Sequence, residues 1–136
     1  MGSFTDYLEN KLLDHVFGCG TRNYTPPVNI EVALSTTTIL DDGTGLTEPT
    51  DTAYSRATTS YTDWTAAANG QVSNAVEIVF PQAAADWGTI TDFALFEVDS
   101  AGNKTMIAYG TLTTAKPVYS GDTAKFAIGD LVVTLD

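Results

Sequence analysis

Two hydrophobic periods divide the chain. From Phe4 to Val16 the apolar positions Phe4, Leu8, Leu12 and Val16 recur at intervals of four, and Tyr7, Leu13 and Phe17 widen the same stripe. This spacing predicts an amphipathic helix over residues 3–18. Ser3 stands as its N-cap with Asp6 as the capping-box partner, and Gly18 stands where a C′ glycine would end it. A helix of this length is marginal alone in water, so its stripe must be buried, either on its own sheet or on a neighbouring subunit. Phe4, Tyr7, Leu8, Leu12, Val16 and Phe17 are therefore the candidate interface residues.

After "GCGTRNYTPP" the period falls to two. In "VNIEVAL" (28–34), Val28, Ile30, Val32 and Leu34 share one face, with Asn29, Glu31 and Ala33 on the other. "STTTILDDGTGLTEPTDT" (35–52) reads as a long surface excursion. Alternation resumes in "YSRATTSYT" (54–62), and Asn69-Gly70 signals a tight hairpin into a strand "QVSNAVEIVF" (71–80) that Pro81 stops. "TITDFALFEV" (89–98) is the central strand, apolar on both faces. The "DSAGN" turn returns it into "KTMIAYGTLT" (104–113). The last segment, 116–136, gives a short strand, the "SGDT" turn and a final strand with a bulge at Gly129-Asp130. The pattern predicts a mainly β protein: a single antiparallel β-sandwich, jelly-roll-like, over 28–136, preceded by one N-terminal amphipathic α-helix. Together they form one domain, 1–136.

Composition narrows the partners. Seventeen acids against six Lys and Arg give a net charge of −11, which disfavours nucleic acid and anionic membranes as partners. Asp6, Glu9 and Lys11 interrupt the first segment before any leader-like apolar run forms, and no run approaches the length of a membrane span. The product is expected to be soluble and made in the cytoplasm. The single cysteine, Cys19, excludes an intramolecular disulfide.

Candidate chemistry is sparse. His15 lies in the last turn of the predicted helix, where an imidazolium interacts well with the helix dipole. No nucleophile elbow, phosphate-binding loop or zinc spacing occurs. The protein is read as a non-enzyme without cofactors or catalytic or metal sites. Asp41, Asp42 and Glu48 supply hard oxygens, yet miss the order of a calcium loop and are expected to form a solvated acidic loop. Trp64, Trp87 and Tyr61 are the aromatics that a sugar-binding site would use.

In order, "SFTDYLENKLLDHVFG", "YTPPVNIEVALSTT", "DDGTGLTEP", "AYSRA" and "SNAVEIVFPQAAADWGTITDFALFE" resemble a family of small tailed-bacteriophage proteins, labelled tail fibre or virion structural proteins. The resemblance runs from Ser3 to Asp136, with "GCGTRN" standing where a shorter glycine turn is expected. It implies a virion role and no chemistry. The expectation drawn from it is a capsid decoration (cement) protein holding the shell through subunit contacts. A tail fibre or adaptor protein is the alternative, and a sugar- or receptor-binding module the third. The expected partners are other copies of the chain, as a homotrimer, and the major capsid protein or tail proteins.

Overall fold

A computed structural model describes residues 2–135. Its elements are β1 (Gly2–Phe4), α1 (Asp6–Phe17), β2 (Asn29–Ser35), β3 (Ala57–Thr59), a 3-10 turn (Tyr61–Asp63), β4 (Gln71–Ser73), β5 (Ile78–Val79), β6 (Gly88–Val98), β7 (Lys104–Val118), β8 (Lys125–Phe126) and β9 (Val132–Thr134). Seven strands form one sheet in the order β3-β2-β6-β7-β1-β9-β4, and β5 and β8 form a second, small one. Neighbours run antiparallel except β1 and β9. The protein is mainly β, with one N-terminal helix. Asp136, read as the end of the last strand, lies outside the described residues.

The alternation of β2 works as expected on one face and is modified on the other. Val32 and Leu34 enter the main core with Phe93, Leu95 and Ile90 of β6, Leu131 and Val133 near the C-terminus, and Ile78 and Phe80 beside the small sheet. The opposite face is covered too. Ala33, Ala94 and Met106 form a second, smaller cluster with Ile39 and the half-buried Leu46. The long polar stretch 35–52 is therefore a flap over the sheet. Its hydrogen bonds run from Thr36 N to Thr47 O (3.0 Å) and from Leu40 N to Thr44 O (2.8 Å). Gly45 has φ +90°, and a Cβ there would run into the Thr38 carbonyl. Glu31 is not solvated but held by Arg56 (3.6 Å) and Lys104 (2.7 Å), while Arg56 also forks onto both Glu48 oxygens and lies 3.8 Å from the Phe96 ring centre.

Three predicted strands differ in extent. The one expected over 54–62 keeps only β3. A capping box between Ser60 and Asp63 turns the chain into the 3-10 turn, since Ser60 N donates to Asp63 Oδ2 at 2.8 Å. The strand expected over 71–80 breaks at Asn74, which is fully buried. Asn74 Nδ2 donates to Val76 O (2.7 Å) and Ala127 O (2.9 Å), and Oδ1 accepts from Leu131 N (2.9 Å). This amide substitutes for ladder pairing and sends the chain from the large sheet into β5. The final strand likewise splits into β8 and β9 around Gly129, whose φ is +82°. The Asn69-Gly70 turn forms as read, with φ of 54° and 73°.

Asp51 ties the flap to the far loop. Its Oδ2 accepts from Ala84 N (2.8 Å), Ala85 N (3.1 Å) and Trp87 Nε1 (2.9 Å), and Oδ1 accepts from Ala53 N (3.0 Å). The Ala53 amide and the indole hold its carboxyl down at about 2. A folded-state value below the unfolded one adds stability above about pH 4 that is lost as pH falls towards 2. Urea titrations of wild type and Asp51→Asn should therefore show a stability gap at pH 7 that narrows by pH 2. A gap of constant size would contradict this role.

Candidate subunit-contact surface

The helix starts two residues later than its stripe suggests. Ser3 and Phe4 belong to β1, paired with Tyr109 and Ala108 of β7. The N-cap position falls to Thr5, whose hydroxyl makes no capping bond. Its Oγ1 donates instead to Met106 O (2.9 Å), and its N–H to Ile107 O (2.9 Å). Asp6 N donates to Asp41 O of the flap (3.1 Å). The capping box predicted from Ser3 and Asp6 is replaced by these sheet bonds, which fix where the helix leaves the sheet. At its other end Gly18 has φ −66°, not a left-handed value. Glycine is needed there for space, since a Cβ would lie 2.6 Å from Asp14 O. Gly20, at φ +97°, makes the reversal.

The apolar positions divide around the helix as well as along it. Leu8 is buried in the main core, with Phe4 and Leu12 half-buried against it. Tyr7 sits at the boundary, its hydroxyl donating to Glu97 Oε1 at 2.7 Å. Tyr24 from the following segment donates to Glu97 Oε2 at 2.9 Å. The Glu97 hydrogen bond and burial push Tyr7 up to about 12, and burial with the same carboxylate raises Tyr24. Both phenols therefore stay neutral donors, and Glu97 clamps the root of the helix to the end of β6. Beyond this clamp the cover ends. Leu13 is 58 %, Val16 54 % and Phe17 82 % exposed.

Residues 19–27 brace the projecting end without covering it. Arg22 Nε donates to His15 O (3.1 Å), and Tyr24 N donates to His15 Nδ1 (3.2 Å). His15 Nδ1 thus serves as an acceptor for a backbone amide. Cys19 is exposed. Of the six candidate residues, Phe4, Leu8 and Leu12 face the protein's own core, Tyr7 belongs to the clamp, and Val16 and Phe17 remain available to a neighbour. Leu13 joins them.

The other sequence candidates are dispersed. Asp41 Oδ1 accepts from Tyr109 (3.2 Å), Asp42 Oδ1 caps Thr44 N (2.9 Å), and Glu48 is held by Arg56 and Tyr54. Among the described residues no group of three or more metal-ligating side chains converges. Trp87 is buried, Trp64 donates to Thr59 Oγ1 (2.9 Å), and of the three aromatics only Tyr61 is exposed. The Glu97 clamp escaped the sequence reading. Its one local signal was a lone acid closing the apolar run "FALFEV".

No helix among the described residues is long and apolar enough to cross a membrane. No curated protein matches the chain. Residues 3–134 match the family described as podophage GP4 fiber I protein gp80. That match runs from Ser3, within β1, through the helix to the end of β9. The chain belongs to the family of the podophage GP4 fiber I protein gp80, a family of phage fibre-type structural proteins.

Proposed function

We propose that the protein is a non-catalytic, self-associating fibre component of the phage particle, placed on the tail, whose copies meet through the projecting end of α1. The observation that carries the reading is a phenylalanine, Phe17, 82 % exposed on a helix whose root is fixed by Leu8 and the Glu97 clamp. An exposed apolar tip on a rigid support is a preorganised contact, with little ordering left to oppose association. Three copies about one axis would bury Leu13, Val16 and Phe17 together, each full burial contributing about 1.5–3 kcal/mol before entropy is subtracted. The fibre description of the family favours the tail over capsid decoration, which was the first expectation from the sequence. Two measurements test the reading. Light scattering should return three times the 14.4 kDa chain mass, and a monomer at micromolar concentration would overturn self-association. Antibody labelling of intact particles should mark the tail, and label confined to the shell would restore decoration.

A further inference from the structure

What the helix tip meets on a neighbour decides how copies assemble. Phe17 supplies at most about 150–250 Å² of contact. With Leu13 and Val16 the tip still falls well short of the roughly 800 Å² that each partner of a stable interface buries. A tip this small needs a receiving surface that wraps around it, and the chain carries one. A cleft of about 610 Å³ opens between the second half of β7 and the segment 122–130, with Leu34, Ile90, Val118 and Phe126 as its floor. A bulge shapes its rim. Thr111 pairs with Asp92 and Lys116 with Ile90, so Leu112–Ala115 stand opposite Thr91 alone, with Thr113 and Thr114 lining the opening. No residue of α1 lines the cleft.

Charge identifies the occupant. The chain has six Lys and Arg. Arg56, Lys104 and Lys125 are taken up in ion pairs with Glu31, Glu48 and Glu77. Lys11, Arg22 and Lys116 have no ion pair among the described residues. Two of these flank the helix tip, where Arg22 is braced through Nε on His15 O (3.1 Å) and the exposed Asp14 lies between them in sequence. The third, Lys116, lines the cleft with Asp122 and Asp130. Those carboxylates accept from backbone amides, Tyr119 N (2.9 Å) and Ala127 N (3.1 Å), and meet no cation among the described residues. With Lys125 offset by Glu77, the cleft keeps two acids and one base around an apolar floor. The tip has two bases and one acid around an apolar point. The two charge sets are reciprocal.

We propose that the cleft receives the helix tip of a second copy. Val16 and Phe17 enter the floor, Lys11 and Arg22 face Asp122 and Asp130, and Asp14 faces Lys116. This rests on self-association through α1 and supplies its receptor. The contact is heterologous, each copy giving a tip and receiving one, and three such contacts close a ring when the rotation is a third of a turn.

The test is complementation between two full-chain variants, read by light scattering. Thr114→Trp, at an exposed position, places an indole on the cleft rim and leaves the tip intact. Val16→Asp with Phe17→Asp removes the tip and leaves the cleft intact. Each alone should run at the monomer mass where wild type is assembled. An equal mixture should give twice 14.4 kDa, because one working tip and one working cleft remain. Thr114→Trp that assembles like wild type, or a mixture that stays monomeric, would overturn the cleft as receptor while association through the tip stands. A monomeric wild type, or a tip variant that still assembles, would overturn both. Hydrogen exchange on wild type needs no variant. Amides of 112–118 and 122–126 should exchange roughly tenfold more slowly in assembled than in dilute protein, along with those of 13–18. Slowing confined to 13–18 would contradict the proposal.

Discussion

Leu8→Asp is expected to unfold the protein. Leu8 is 5 % exposed and packs in the main core, so the substitution removes about 1.5–3 kcal/mol of apolar burial. It also places a carboxylate there without a partner, at several kcal/mol more, or forces it to stay protonated. Against a total stability of about 5–15 kcal/mol, that loss abolishes the native state or leaves it marginal. Circular dichroism should show loss of the β signal or a melting point lowered by tens of degrees. Leu12→Asp, at a half-buried position, should cost far less. A Leu8→Asp protein that keeps its fold and melting point would mean that the helix root is not part of the core.

The second large effect is expected at Asn74. Asn74→Ala leaves the buried Leu131 amide without its partner and removes one bond each from the part-buried Val76 and Ala127 carbonyls, the latter still accepting from Asp130 N. The one buried orphan costs about 1–3 kcal/mol, and with the two part-buried bonds a combined loss of roughly 2–4 kcal/mol is expected. Urea denaturation measures it, and hydrogen exchange should show residues 127–131 opening first. A loss under about 1 kcal/mol would mean that water replaces the amide without cost.

These two residues also mark what the sequence could and could not disclose. The helix, β2 and β6 were legible because their side chains alternate or recur with the period of the element, and the Asn69-Gly70 turn because its backbone requires φ > 0. β1 was not legible. Three residues are too few to show a period, and their partners lie in β7, about a hundred residues away. The break at Asn74 could not be placed from 71–80 alone, since it depends on Ala127 and Leu131. The flap shows the same limit: Ile39 and Leu46 look isolated in a polar stretch until the second face of the sheet is seen beneath them.

For the contact surface, the stripe located the helix but not which of its apolar side chains the sheet covers. Periodicity reports which side of a helix is apolar and carries no information on how far along its axis the sheet extends. Leu8 and Phe17 are nine positions apart, roughly half a turn around the helix, so one faces the sheet and the other is 82 % exposed. The Glu97 clamp was hidden as well, because its partners Tyr7 and Tyr24 come from two segments distant in sequence from β6.

The measurement that tests this division most directly is the mass and melting point of Val16→Asp with Phe17→Asp, compared with wild type. Both side chains are exposed, so the substitutions remove no core contact. With subunits joined through the helix tip, light scattering should fall from a multiple of 14.4 kDa to the monomer mass, while the melting point of the dissociated chain stays close to that of wild type diluted to monomer. An oligomer that survives both carboxylates would contradict a contact through the helix tip. So would a monomeric wild type, or a variant that unfolds.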